Sequence, residues 1–303
     1  MANAGVITRA THPDALWPGV KAWFGLNYSK VPATWSQVFE KQTSNKYQER
    51  VVEGTTFGPA RTKTEGSPIQ YDSDGEGYVS IFQHVVYALG YIVTREELED
   101  NLYTEVSNTR SRNLAWSMST TAEYVHANVF NRGFNSSYPI GDGQPLYSAS
   151  HPTVNGVQSN LLTAADFSEA AMEDATKQVW RLQNSRGFPL NAGVRQIMIN
   201  PEDAFTTTRV LNSVLRSGTN NNDINALNAM GIVPNVVVNK YLTDTDSWYV
   251  QTDIPEGLIS MWRREVELQK DNDFDTENAK AKATMRFSAG VADWRSTFGN
   301  AGG

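Results

Sequence analysis

Hydrophobic positions along the chain fall into three kinds of pattern. The first is helical. From residue 95 to about 131, Leu98, Leu102, Val106, Leu114, Met118, Ala122, Val125 and Val129 recur at spacings of three, four and eight. Neither Pro nor Gly interrupts the run before Gly133. Thr94 with Glu97 three residues on reads as a capping box at its start. A helix of that length is about 55 Å long, whereas ordinary globular helices stop by about 20 residues. Charges at Glu105, Arg110, Arg112 and Glu123 exclude a membrane span. The lapse at Thr109–Asn113 weakens a coiled coil. A strut along the face of a sheet remains. A second helix is predicted over Ala164–Asn184, with Phe167, Ala171, Ala175, Val179 and Leu182 on one face and Thr163 as cap. A third opens at Pro201, where Glu202 and Asp203 suit the positive helix start.

The second pattern is extended. Ala283, Met285, Phe287, Ala289 and Val291 alternate with Thr284, Arg286, Ser288 and Gly290, which predicts a long half-buried strand. Tyr47–Glu53, Gly77–Val93, Arg195–Asn200, Val236–Tyr241 and Trp248–Gln251 are further strands, rich in β-branched and aromatic residues. The third pattern is none at all. Residues 54–76 are polar and punctuated by Gly54, Gly58, Pro59, Gly66, Pro68 and Gly75. A coreless loop of that length either extends into solvent or lies on another molecule. Residues 1–45 mix Trp17, Trp23, Phe24, Tyr28, Trp35 and Phe39 with turn formers, and show no clean period before VPATWSQVFEK, a single short helix. This arm either packs on its own domain or buries its aromatics against a neighbour. Residues 217–223, SGTNNND, read as a flexible tip.

Composition narrows the function. Hydrophobic residues make up 40% of the 303 and charged residues 19%, enough for a packed core. The formal net charge of -7 argues against a protein that grips phosphates through a basic face, but not against one that merely encloses nucleic acid. There is no Cys, so disulfides and thiolate chemistry are excluded. No apolar run reaches signal-peptide or membrane-span length, which leads us to expect a chain made and used in a soluble compartment.

Candidate chemistry is sparse. His12, His84, His126 and His151 never stand three to five residues apart, so the two-His metal spacing is missing. Ser148 and Ser150 lie beside His151, the one constellation that a hydrolase could use, but no nucleophile elbow surrounds them. Asp72-Ser73-Asp74 and Asp271-x-Asp273-x-Asp275 hint at calcium. The first lacks the distant Glu, and the second has Thr276 and Lys282 where Gly and Glu are needed. Both read as solvated turns. No catalytic residue, cofactor site or metal site is expected. The inventory of strut, arm, unsupported loop and long strand fits a protein whose function is contact.

Several long strings carry a resemblance. GDGQPLYSASHPTVNG with QSNLLTAADFSEAAMEDATKQVWRLQNSRGFPLN, VRQIMINPEDAFTTTRVLNS, PNVVVNKYLTDTDSWYVQTD and EGLISMWRREVELQKDNDFDTENAKAKATMRFSAGVADWRSTFG stand in the order found in tailed-phage major capsid proteins. Those proteins have the Hong Kong-type capsid fold, and the strings are similar to the Mu-like head-subunit branch. The resemblance covers most of the chain and is strongest from residue 141 onward. It implies an α+β capsid fold. An N-terminal arm spans 1–45 and an E-loop hairpin 46–82. A peripheral domain spans 83–162 and 251–303, with the spine helix at about 95–131. An axial domain spans 163–250. It implies an E-loop lying on a neighbouring subunit, with Phe57, Arg61, Lys63 and Glu65 of the loop and Trp17, Trp23 and Phe24 of the arm as intersubunit contacts. It further implies hexamers and pentamers closing an icosahedral shell in the virion. That shell would be assembled in the host cytoplasm around double-stranded DNA held without sequence-specific contact. A portal and a decoration protein are possible partners, and no membrane is involved. No helical, charged prefix precedes the arm, which implies a separate scaffold protein or an already mature sequence. The alternatives are an encapsulin-type compartment, a tail or baseplate protein, and the Ser–His hydrolase.

Overall fold

A computed structural model describes residues 18–94, 96, 103–216, 223–272 and 278–303. The described residues divide into two compact units, one drawn from those within 18–33, 84–124 and 262–288, the other from those within 34–83, 125–261 and 289–303. Both mix helices with antiparallel strands, the α+β class expected.

In the first unit, α1 (Pro18–Lys30) is a helix where the sequence shows no period. Its apolar residues are scattered around the helix instead of lining one face, so periodicity could not reveal it. Pro18 at its first position and Lys30 in its last turn are the local signals that mark it. Phe24 is buried, its ring 6.1 Å from Tyr28. Burial, with Glu265 and Glu123 nearby, pushes the Tyr28 hydroxyl up to about 12. Strand β4 (Val85–Val93) pairs antiparallel with β11 (Ala279–Val291), from Val93 opposite Ala279 to Val85 opposite Phe287. The alternation predicted for this tail is present, with Ala281, Ala283, Met285 and Phe287 all buried. It lapses at Ser288, which is also buried and bonds to His84 Nδ1 at 3.2 Å. Phe287 stacks on Trp262 of β10 (Leu258–Asn272) with centroids 4.5 Å apart. His84 also interrupts the single strand predicted over Gly77–Val93, leaving β4 separate from β3 (Gly75–Gln83).

The strut is α3 (Tyr103–Asn131). Of the predicted capping box, Thr94 is described and exposed, whereas Glu97 and, Glu96 apart, the first turns at 95–102 lie outside the described residues. Leu114, Met118 and Ala122 are buried as the pattern requires. The buried stripe then passes to His126, Ala127 and Phe130, leaving Val125 and Val129 half-buried. In the second unit these last turns meet α2 (Trp35–Val38), a single turn. Trp35 stacks on the His126 ring at 4.5 Å, and Phe39 meets Phe130 edge-on at 5.7 Å. His126 Nε2 lies 2.7 Å from Ser260 Oγ.

The core of the second unit is a four-stranded sheet. Its order is β12 (Thr297–Asn300), β9 (Trp248–Thr252), β7 (Val194–Ile199) and β8 (Asn235–Val238). β7 and β8 are parallel and the other pairs antiparallel. Ile197, Met198, Ile199, Trp248, Val250 and Phe298 are fully buried in it. Helix α4 (Glu169–Trp180) adds Met172, Ala175 and Val179. It is shorter than the predicted 164–184, and Ser168 is its cap in place of Thr163, its Oγ accepting from Ala171 N–H at 3.2 Å. Asn300 is the reason. Its amide binds Thr163 O and Ala165 N–H, which holds that stretch out of the helix. Past Pro201 the chain makes a short 3-10 turn and then α5 (Ala204–Asn212). Asn200 caps the turn by accepting from Glu202 N–H. A one-turn helix, α6 (Ala226–Ala229), follows, and residues 217–222 of the predicted tip lie outside the described residues.

Candidate interaction surface

The second unit projects a hairpin, β2 (Gln48–Thr55) against β3, in register from Gln48 opposite Gln83 to Thr55 opposite Gly75 with a shift near Val52. Among the described residues these two strands pair only with each other. At the hairpin base Phe82 packs with Ile259, Met261 and Ala292. There too Glu53 Oε1 accepts from Arg295 Nη1 at 2.6 Å and from Ser185 Oγ at 2.5 Å. The Arg295 and Glu53 side chains are 3% and 13% exposed. The guanidinium donates further to Gln183 O, Ser185 Oγ and Asp293 Oδ1. Burial pushes the Asp293 carboxyl up, with Arg295 pulling against it.

Beyond the base, residues 56–74 form a tip without a core. Phe57, Ile69 and Tyr71 are exposed, Tyr71 at 95%. Arg61, Lys63 and Glu65 are exposed as well. The tip touches its own chain at the turn of residues 184–188. Asn184 Oδ1 accepts from the N–H groups of Arg186 and Phe188, which shapes the turn, and its Nδ2 donates to Thr56 Oγ1 at 2.7 Å. Gly187 adopts φ +85°, and a Cβ there would strike Asn155, so the turn requires glycine. Arg186 places a two-pronged fork on Asp72, at 2.6 and 3.3 Å, and donates to Ser73 O. Asp72 also accepts from Gly58 N–H at 2.8 Å, tying the outgoing arm to the returning one. These partners hold the Asp72 carboxyl well below the usual carboxylate range, the Arg186 bond most strongly. The aspartates once suggestive of calcium therefore serve a guanidinium, at least at Asp72. Asp273 and Asp275 lie outside the described residues.

The structure thus brings Phe57, Arg61, Lys63 and Glu65 together on one exposed tip. Trp17 lies outside the described residues, and so does the side chain of Trp23. Phe24 is buried in the single subunit. Sequence reasoning missed Arg186 and Arg295. Their partners stand 114 and 242 residues away, and no local pattern links them.

The Ser–His constellation resolves differently from a nucleophile and base. His151 Nδ1 lies 2.6 Å from Asp142 Oδ2, and its Nε2 lies 2.9 Å from Asn160 Oδ1. Asn160 spends its Nδ2 on the carbonyls of Leu146, Trp294 and Thr297, so its Oδ1 must face the imidazole and Nε2 must donate. Ser148 Oγ meets Ser150 Oγ and Ser150 N–H instead. No ring nitrogen is left to take a serine proton. The ring stacks on Trp294 at 4.3 Å, and the Arg295 guanidinium lies over the same indole at 4.5 Å. The cluster is a buried fastening between the loop after α3 and the C-terminal segment. Among the described residues, no group of three or more acidic or His side chains could hold a metal ion, and no helix is long and apolar enough to cross a membrane.

Residues 78–300 match the family model described as phage capsid protein. Solved structures with the same fold include a virus-like particle from Pyrococcus furiosus, with 10% identity over 94% of this chain and 99% of that one and a TM-score of 0.57. The capsid of a native GTA particle is similar over 88% and 90% of the two chains, at 13% identity and a TM-score of 0.55. The procapsid of bacteriophage JBD30 is similar over 97% and 76%, at 12% identity and a TM-score of 0.51. No curated protein matches the chain.

Proposed function

The chain belongs to the phage capsid protein family and is a capsid shell protein of the virion, and we propose that it is the major head subunit of a tailed phage of the Mu-like branch. On this reading it forms hexamers and pentamers that close an icosahedral shell around double-stranded DNA. The arm is 1–45, the E-loop 46–82, the peripheral domain 83–162 with 251–303, and the axial domain 163–250. A separate scaffold protein, a portal and a decoration protein complete the assembly, which takes place in the host cytoplasm. The net charge of -7 supports a wall that encloses DNA without gripping it.

The observation that carries this reading is the hairpin tip. A coreless segment with Phe57, Ile69 and Tyr71 in water is costly for a subunit alone and useful to one that buries it against a neighbour. Phe57, Arg61, Lys63 and Glu65 are then contacts to the next subunit. The test is expression of the chain, alone and with a candidate scaffold protein, followed by negative-stain electron microscopy. We expect closed particles from the full chain. A variant with residues 57–71 replaced by a short Gly-Ser linker should remain a soluble, folded subunit that closes none. Normal shells from that variant would overturn the E-loop assignment, and a monomer under every condition would overturn the head-subunit reading. The likeness to the Pyrococcus furiosus particle favours one second reading, a compartment shell, and the contents of purified particles decide between DNA and protein cargo.

A further inference from the structure

The hairpin is held to its own chain at two depths. At the base, the Glu53–Arg295 pair is buried, hydrogen-bonded from all three guanidinium nitrogens and little screened by salt. At the tip, the Asp72–Arg186 pair has side chains 48% and 27% exposed, the setting in which ion pairs are weak and salt-sensitive. The two are joined through neighbouring residues of one turn, since Ser185 serves the base and Asn184 and Arg186 serve the tip. A permanent hinge and a releasable end therefore share one short stretch of chain.

The latched state leaves apolar surface uncovered. Phe57, Ile69 and Tyr71 line a hollow on the tip side, and Val154 and Phe188 line it on the other. All five remain exposed while Arg186 grips Asp72. The clasp satisfies polar groups only, so any surface that buries the aromatic side of the tip gains what the clasp forgoes. We propose that Asp72 and Arg186 form an intramolecular latch, which keeps the hairpin tip on the subunit's own 184–188 turn until a second copy of the chain displaces it. The second-copy half rests on the shell reading above. The latch itself does not.

Trypsin reads the latch directly, because Arg61 and Lys63 lie within the tip. Unassembled wild-type subunits, Asp72→Asn, Arg186→Gln and the charge-swapped pair Asp72→Arg/Arg186→Asp would be digested briefly, with cleavage after residues 61 and 63 followed by mass spectrometry. At low salt we expect both single variants to be cut about threefold faster or more, since cleavage follows the open population. The swapped pair should return to the wild-type rate, and near 1 M salt the wild type should rise to the rate of the single variants. Equal rates in wild type and both single variants at low salt would overturn the latch. A shared melting temperature certifies that the variants are folded. Light scattering then gives the concentration at which shells first form, expected to be lower for the single variants. Unequal tip cleavage without shells would leave the latch and remove the shell reading. Shells with equal tip cleavage would do the reverse.

Discussion

Arg295 shows how much one side chain can organise. It neutralises Glu53, bonds Ser185, Asp293 and the Gln183 carbonyl, and lies over Trp294, whose indole also receives His151. Removing it leaves the Glu53 carboxylate in a largely dry site. We expect Arg295→Ala to lose roughly 3–5 kcal/mol, with Glu53→Leu added to it recovering part of that loss. Urea unfolding of the free subunit measures both, and a loss below about 1 kcal/mol would mean that water shares the pair. Asp72 behaves oppositely because it is exposed. Its folded value is depressed, so whatever its charge contributes is present above the ordinary carboxylate value and is lost only as pH falls through the depressed one. The groups facing it are the Arg186 guanidinium and the N–H groups of Gly58 and Ser73, with Asp74 near Arg186. Asp72 is held below its ordinary value and Arg186 above its own, so neither partner of the clasp changes charge between pH 5 and 8. Tip cleavage by trypsin, corrected for the enzyme's own pH profile, should therefore be flat over that range. A rise toward pH 5 would point to a different clasp.

Among elements, those governed by nearest neighbours were legible and those governed by distant partners were not. The strand Ala279–Val291 declares itself through Ala283, Met285 and Phe287, because alternation is a local property of a half-buried strand. The strut was readable through Leu114, Met118 and Ala122. Met118→Ala should cost roughly 2–5 kcal/mol, whereas exposed Trp116→Ser should cost little, a contrast that thermal unfolding resolves. Helix α1 went unread because it lacks a single apolar face. Gly25 sits within it, exposed, with nothing within 4 Å of an added Cβ. Gly25→Ala should thus stabilise the chain by about 0.5–1 kcal/mol through the unfolded state, and no gain would mean that the segment is not helical in solution. The end of α4 was misplaced because Asn300, from the far end of the chain, dictates the conformation of Thr163–Ala165. The candidate surface divides in the same way. A coreless tip with Phe57, Arg61, Lys63 and Glu65 could be read from its glycines and its length. What the tip rests on, Asn184 and Arg186, could not.

For the molecule as a whole, the shell reading requires several separate surfaces that do little for the isolated subunit. The chain on either side of residues 217–222 has this character. Leu215 and Ile224 form an isolated bridge, Arg216 N–H bonds Asp223 O, and Asn225 ties the base down by donating to Val210 O and Ser213 O. The backbone on either side of residues 217–222 is therefore firmly held, yet Val214 and Ile224 stand 72% and 68% exposed. Rigid backbone presenting apolar side chains to water is poor design for a monomer and good design for a contact between copies, which the proposed shell reading would put at the axis of a capsomer. If that is the use of this stretch, its side chains can be changed without cost to the subunit. We expect Val214→Lys/Ile224→Lys to alter subunit stability by no more than about 0.5 kcal/mol, since neither side chain is buried. The same variant should fail to form hexamers or pentamers, because like charges would meet around the axis. Light scattering after size exclusion gives the oligomer mass, and electron microscopy the particles. Normal capsomers from this variant would move the axial contact elsewhere. A variant that melts early would show that these residues belong to the subunit's own core after all.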